Sequence, residues 1–283
     1  MKKDFFDKIN RGIVIVDKPS GPTSFQVTSY VKKQLGLNKC AHAGTLDPAV
    51  TGVLPILLGR ASRLLGYFIH RDKEYVGIMH LHENIHKKEL EKTIKSKFIG
   101  KIKQLPPRKS RVKREERERK IYSFEILEKK GRDVLFRVKC EAGTYIRKLI
   151  HDLGQELEVG AHMLELRRTK ASIFTEDEAI NLYDFTKAAD EARKGNTEKI
   201  KKILKPIEVI KEIMPAVEVK EKAVQKLKHG SPLFLNMLKN NKQIKSFKNQ
   251  DFIAVMGKEK LIGVFQPFSG QKEMTAKPKT ILV

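Results

Sequence analysis

Cysteine is nearly missing from this 283-residue chain, which has only Cys40 and Cys140. Two cysteines build no disulfide framework, so the fold has to rest on hydrophobic burial. Long apolar runs are missing too. No stretch approaches the roughly 20 residues that a membrane-spanning helix needs. The basic opening, MKKDFFDKINRG, is not followed by an apolar core and a small-residue cleavage site. No secretory signal is expected, and a reducing cytoplasmic setting is the default. Internal repeats, Gly/Ser tracts and Gln/Asn tracts are absent. So are glycine-rich nucleotide-binding patterns, paired Cys/His zinc ligands and the G-x-S-x-G nucleophile turn. Acid is scarce relative to base: 34 Asp and Glu against 58 Lys and Arg leave a net charge of +24.

What is present suits a protein with real cores and a polyanionic partner. Hydrophobic residues make up 40% of the chain, and its length predicts two domains. An excess of this size favours nucleic acid. Charge alone separates neither RNA from DNA nor binding from catalysis.

The apolar run Ile13–Val16, stopped by Asp17-Lys18-Pro19, predicts a buried strand ended by a proline turn. Thr23 or Ser24 then caps a helix carrying Val27, Val31 and Leu35, closed by Gly36. Asn38 to Pro48 has loop chemistry, and Arg60 to Ile69 the spacing of one helix. Glu74–Leu81 predicts a strand and Lys87–Phe98 an amphipathic helix. Tyr122–Leu127 and Val134–Val138 predict a hairpin about Lys130-Gly131. Thr144–Leu157 reads as a helix interrupted at Gly154, and His162–Arg168 as a strand. Mixed strands and helices without a regular βαβ rhythm give an α+β class. After Asn181 comes a Lys/Glu-rich helical run, Thr186 to Lys205. From about Met214 a small β-rich module follows, with strands at Phe252–Met256 and Leu261–Phe265.

Each chemically suggestive segment has a plain alternative. Asp47, in Ala41-His42-Ala43-Gly44-Thr45-Leu46-Asp47-Pro48, is either a turn residue or an acid that a loop aims at a substrate. His80, His82 and His86 suggest metal ligands by spacing, but surface or RNA-facing imidazoles fit better. Lys101 to Lys120 carries ten basic residues and three acidic ones. It reads as a solvated charged face or as a phosphate-contacting loop held extended by Pro106-Pro107. Thr144-Tyr145-Ile146-Arg147 is a helix start of undecided role.

Together these segments resemble a known family. Asp17-Lys18-Pro19-Ser20-Gly21-Pro22-Thr23-Ser24, the His42–Pro48 loop with Gly52-Val53-Leu54-Pro55, Lys73-Glu74-Tyr75, and Gly143–Leu149 resemble, in order, four motifs of the TruB pseudouridine synthases. Met79–His82, Pro106-Pro107, Gly131–Val138, Ala161-His162-Met163 and Glu165–Thr169 are similar to its archaeal and eukaryotic dyskerin branch. The likeness is close over Gly12–Leu182. It is weaker at His229-Gly230-Ser231-Pro232-Leu233, which resembles a PUA domain, a small RNA-binding β-barrel. Ala41 stands where the family usually has glycine, and Arg111 where it usually has a small residue. With neither a long N-terminal extension nor a Lys-rich tail, an archaeal-type protein is expected.

The resemblance implies a mixed, mainly antiparallel sheet with flanking helices in a catalytic domain over residues 1–213, and a PUA domain over 214–283. It implies isomerisation of uridine to pseudouridine: the C1′–N1 bond breaks, the base turns, and a C1′–C5 bond forms. That reaction requires no cofactor and no metal. By resemblance Asp47 is the catalytic carboxylate, as nucleophile or as initiator of a glycal-type path. Arg147 holds it charged, and Tyr75 stacks on the uracil. His42 supports the flipped base, Lys18 braces the loop, and Tyr145 flanks the site. Ile146 and Leu166 wall the pocket. A thumb-like loop over about 104–120 brings Arg108, Lys109, Arg111, Lys113 and Arg114 to RNA, and His229 and Gly230 serve the PUA end. The implied partners are an H/ACA guide RNA with target rRNA or tRNA, small Nop-type and Gar-type proteins, and a kink-turn-binding ribosomal-type protein. No membrane is involved. A stand-alone enzyme for the tRNA T-loop uridine and an RNA-binding scaffold with dispensable catalysis remain as alternatives.

Overall fold

The computed structural model describes residues 3–106, 113–240, 250–268 and 274–282. Arg108, Lys109 and Arg111 lie outside them, with Pro107.

In chain order the elements are α1 (Lys3–Asn10), β1 (Gly12–Lys18), α2 (Ser24–Gln34), β2 (Cys40–His42), β3 (Thr51–Leu58), α3 (Leu65–Ile69), β4 (Lys73–Leu81), α4 (Lys87–Lys97), β5 (Gly100–Gln104), β6 (Arg117–Lys130), β7 (Asp133–Cys140) and α5 (Ile146–Glu156). They continue with β8 (Ala161–Ala171), β9 (Phe174–Thr175), α6 (Leu182–Arg193), α7 (Glu198–Ile203), β10 (Leu204–Pro206), β11 (Ala216–Glu218), α8 (Glu221–Lys228), β12 (Leu233–Phe234), β13 (Ile253–Gly257), β14 (Lys260–Pro267) and β15 (Met274–Ile281).

Ten of these strands form one mixed, mainly antiparallel sheet in the order β10-β1-β3-β8-β4-β7-β6-β5, with β2 on β3 and β9 on β8. The α+β expectation holds. Burial explains the two kinds of strand. In β1, Val14 and Val16 join one core with α2 and α6, while Ile13 and Ile15 join another on the opposite face. Two-sided burial is why that strand is uniformly apolar. β4 is buried on every second residue, so Lys73, Tyr75, Met79 and Leu81 point to the core under α4 and α5.

The second sheet, β11-β13-β14-β15-β12, surrounds its own core of Val217, Leu227, Leu233, Val255 and Phe265. It is nevertheless fused to the first, because Met214, Ala254, Leu261 and Val264 share a cluster with Ile13, Leu57 and Phe68. Arg11 reinforces the junction by donating to the carbonyls of Leu261 (2.7 Å) and Leu282 (3.1 Å).

Several local expectations are corrected. Cys40–His42 pairs with Leu58–Ile56 as a short strand inside the supposed loop. Arg60–Ile69 is a 3-10 turn followed by α3. The run from Thr186 to Lys205 breaks at Gly195, whose φ is +100°. α5 passes through Gly154 without interruption. A Cβ there would lie 2.1 Å from the Ala161 amide nitrogen, so glycine lets β8 start against the helix. The ends of the Lys101–Lys120 stretch are paired strands, Lys101 opposite Lys120 and Gln104 opposite Arg117. Two of the lysines there are paired with acids: Lys101 with Glu118 at 2.8 Å and Lys103 with Glu116 at 3.2 Å.

Candidate active site

β3 meets β8 in parallel through only two residue pairs, Thr51 with Arg167 and Gly52 with Arg168. Beside this short join a cleft of about 610 Å³ opens, within the range of small-ligand sites. Its carboxylate comes from the loop between β2 and β3. That loop is pinned throughout. The Ala43 amide donates to the Pro55 carbonyl at 2.8 Å. The buried Ser24 hydroxyl accepts from the Leu46 amide at 2.8 Å and donates to the Leu46 carbonyl at 3.0 Å. Lys18, fully buried, donates from Nζ to the carbonyls of Pro19 (2.7 Å) and Pro48 (3.0 Å). The Gly21 amide also reaches Pro48, at 3.0 Å. Burial pulls the Lys18 ammonium down from its usual range, and Asp47 partly offsets this.

Asp47 leaves this frame with its carboxylate half exposed, and Arg147 Nη2 stands 2.7 Å from Oδ2. Arg147 is delivered by the first turn of α5, which begins after Tyr145. The start of α5 is itself held by Gln104. Its side-chain amide donates to the Tyr145 carbonyl (3.2 Å) and accepts from the Tyr145 amide (3.0 Å). Thr144 is no helix cap; its hydroxyl donates to the Glu141 carbonyl at 2.8 Å.

The walls are Tyr75, Ile146 and Leu166, joined by Val50 and Tyr145. Gly77 makes room for one of them: a Cβ there would lie 2.9 Å from a Leu166 methyl and 2.7 Å from the Glu165 carbonyl oxygen. Tyr75 is 9% exposed. Burial pushes its phenol above the ordinary range, against the opposing charge of Arg168. Beneath the cleft lie two buried cations, Lys73 and Arg168. Lys73 Nζ donates to the Ile69 carbonyl at 2.7 Å and to that of Arg71. Burial, with Arg168 nearby, brings its pKa down to about 8.

The structure thus brings Asp47, Arg147, Tyr75, Tyr145, Ile146 and Leu166 to one cleft. His42 stands behind the loop rather than lining it, between the hydroxyls of Thr28 (3.0 Å) and Thr45 (3.1 Å). Burial, then Arg168, lowers its pKa and favours the neutral ring. Lys113 lies away from the cleft lining, paired with Glu115, and Arg114 is exposed beside it. His229 and Gly230 end α8 in the second sheet's unit. The imidazoles of His82 and His162 are 3.0 Å apart, and His80 meets Asp133 at 2.5 Å. Motif reading gave no role to Lys73, Arg168, Ser24 or Gln104. Alternation held the signal for two of them, since it turns Lys73 inward with Tyr75 and Arg168 inward with Leu166.

Chemically, the site offers the Asp47 carboxylate held by a guanidinium, in an apolar-walled cleft over cationic groups; Glu141 also lines the cleft, its carboxylate accepting from the Lys120 amide at 3.0 Å. Residues 32–146 match the family description "TruB family pseudouridylate synthase (N terminal domain)", and residues 147–211 match "tRNA pseudouridylate synthase B C-terminal domain". A probable tRNA pseudouridine synthase B of Methanopyrus kandleri is 48% identical over 226 residues, 80% of this chain and 67% of that protein. Its counterpart in Pyrococcus abyssi is 43% identical over 97% of this chain and 82% of its own length. Among solved structures, a chain of a Cbf5-Nop10-Gar1 complex superposes with a TM-score of 0.88 at 37% identity, covering 98% of this chain and 86% of that one. A chain of an H/ACA RNP bound to a substrate RNA containing 2′-deoxyuridine gives 0.87 at 35%, over 100% and 88%. The chain belongs to the TruB family of pseudouridine synthases.

Proposed function

We propose that this pseudouridine synthase acts under the direction of an H/ACA-type guide RNA, on rRNA and also on the T-loop uridine of tRNA. The observation that carries the chemistry is one carboxylate, Asp47, 2.7 Å from Arg147 on a pinned loop beside an apolar-walled cleft. Asp47 opens the glycosidic exchange, either as nucleophile or along a glycal-type path, while Arg147 keeps it aimed. Tyr75 packs its ring on the uracil, and Ile146 and Leu166 enclose the base. His42, Lys18 and Tyr145 support the loop and the flipped nucleotide. In this reading residues 1–213 are the catalytic unit and 214–283 a PUA-like RNA-binding unit that uses His229 and Gly230. The segment over about 104–120, with Arg108, Lys109, Arg111, Lys113 and Arg114, closes on RNA phosphates.

Guide dependence draws its support from the likeness to Cbf5 in a complex with Nop10 and Gar1 and to an H/ACA RNP chain. The partners inferred are therefore guide and target RNA, small Nop-type and Gar-type proteins, and a kink-turn-binding ribosomal-type protein, in an archaeal-type cytoplasm. The names of the curated relatives favour a second reading, a stand-alone tRNA enzyme. Joining C1′ to C5 displaces the C5 hydrogen, so tritium release from C5-labelled uridine measures turnover. We expect release from target RNA only with guide and partner proteins, and weaker release from tRNA alone. Equal rates on tRNA without guide would favour the second reading. Retained turnover in Asp47→Asn would remove Asp47 from the chemistry.

A further inference from the structure

Arg168 is one of the largest fully buried side chains, 1% exposed. Taking a guanidinium out of water costs several kcal/mol unless hydrogen bonds or an anion compensate it. Among the described residues no carboxylate pairs with Arg168. Its hydrogen-bond partners among the described residues lie on the segment that carries Asp47. Nε donates to the Val53 carbonyl at 2.8 Å, and Nη2 donates to the Gly44 carbonyl at 2.9 Å. Gly44 precedes Asp47 on the pinned loop, and Val53 follows it at the start of β3, so one side chain grips both ends of the segment that carries the carboxylate. Tyr75 on β4 stands directly across the strand pair from Arg168.

We propose that Arg168 is a positioning residue: by holding the carbonyls of Gly44 and Val53 it fixes the Asp47 loop against β8, opposite Tyr75. The inference rests on the pseudouridine synthase reading of the cleft and goes beyond it. This role does not require Arg168 to touch substrate.

The test measures kcat, KM and thermal midpoint for Arg168→Lys and Arg168→Gln on the RNA that the wild-type complex converts. Arg168→Lys keeps the charge and loses the fork that reaches two carbonyls. We expect its kcat to fall 10- to 100-fold with KM within about threefold. Arg168→Gln, which retains two donors without charge, is the second variant and should fall below Arg168→Lys. Only variants that melt cooperatively are scored. A kcat within threefold of wild type in Arg168→Lys overturns the inference, and so does a loss confined to KM. If neither variant folds, Arg168 is a stability element and the inference is likewise overturned. An inactive wild type overturns the underlying reaction and the inference with it. An active wild type beside an equally active Arg168→Lys overturns the inference alone.

Discussion

An ion pair as exposed as Asp47 and Arg147, at 50% and 58% of their side-chain surface, contributes about 0–1 kcal/mol to folding. Its value is orientation of the carboxylate. Arg147→Met is therefore expected to leave the thermal midpoint within a few degrees while lowering turnover at least 100-fold, a split that melting and tritium-release assays on one preparation will reveal. Asp47→Asn should abolish release with the same small effect on melting. Lys73 is the opposite case, a buried cation whose cost falls on the fold. Its folded pKa of about 8 lies below the unfolded value of 10.5, so between those limits the unfolded chain binds more protons. Stability from this group therefore rises as pH rises through that window and is lowest below it. Comparing denaturation midpoints of wild type and Lys73→Met from pH 7.5 to 10 should show a steeper upward slope in the wild type. The difference is expected to be about 3 kcal/mol or less. Lys73 and Arg168 were present in the recognised motifs, but a motif gives residue identity and no depth. Only their position under the cleft, with carbonyl partners, gives them a part in it.

At the scale of elements, helix starts and glycines decide where the site residues stand. Thr23 caps α2 in a reciprocal pair with Gln26, its hydroxyl accepting from the Gln26 amide at 3.1 Å. Thr23→Ala should cost about 1 kcal/mol in chemical denaturation. The loss should also loosen Ser24, which holds Leu46, and so raise KM slightly. Gly77 belongs to the site for a different reason: a methyl group there meets Leu166, Phe136 and a backbone oxygen, all within 3.0 Å. Gly77→Ala is expected to destabilise the chain by roughly 1–3 kcal/mol through overpacking and to displace the Leu166 wall, lowering kcat/KM at least tenfold. The strands were largely legible, since alternation and uniform apolarity identify β4 and β1. Their extents were not. β6 runs from Arg117 through charged residues because β5 and β7 supply partners, and propensity contains no information about partners. Gly154 carries the same lesson. Glycine weakens an isolated helix, but here it lets β8 approach α5.

For the whole molecule the charge of +24 is the dominant property, and it concerns holding RNA. Affinity for target RNA should fall steeply with salt. A negative slope in log K against log salt would report the number of phosphates neutralised, and about five of them would give roughly a hundredfold loss between 50 and 200 mM. The same titration with Asp47→Asn should give an unchanged slope, because an acid paired with Arg147 neutralises no phosphate. The sequence by itself determined the α+β class and the reaction family, because residue types at short spacings encode turns, caps and motif chemistry locally. The tertiary structure decided what no local pattern contains: that Lys73 and Arg168 lie beneath the cleft, that His42 stands behind the loop rather than in it, and that a hydrophobic cluster joins the two sheets. Those facts depend on residues far apart in sequence meeting across strand pairs, and burial, the quantity that sets their charge and partners, exists only after the chain has folded.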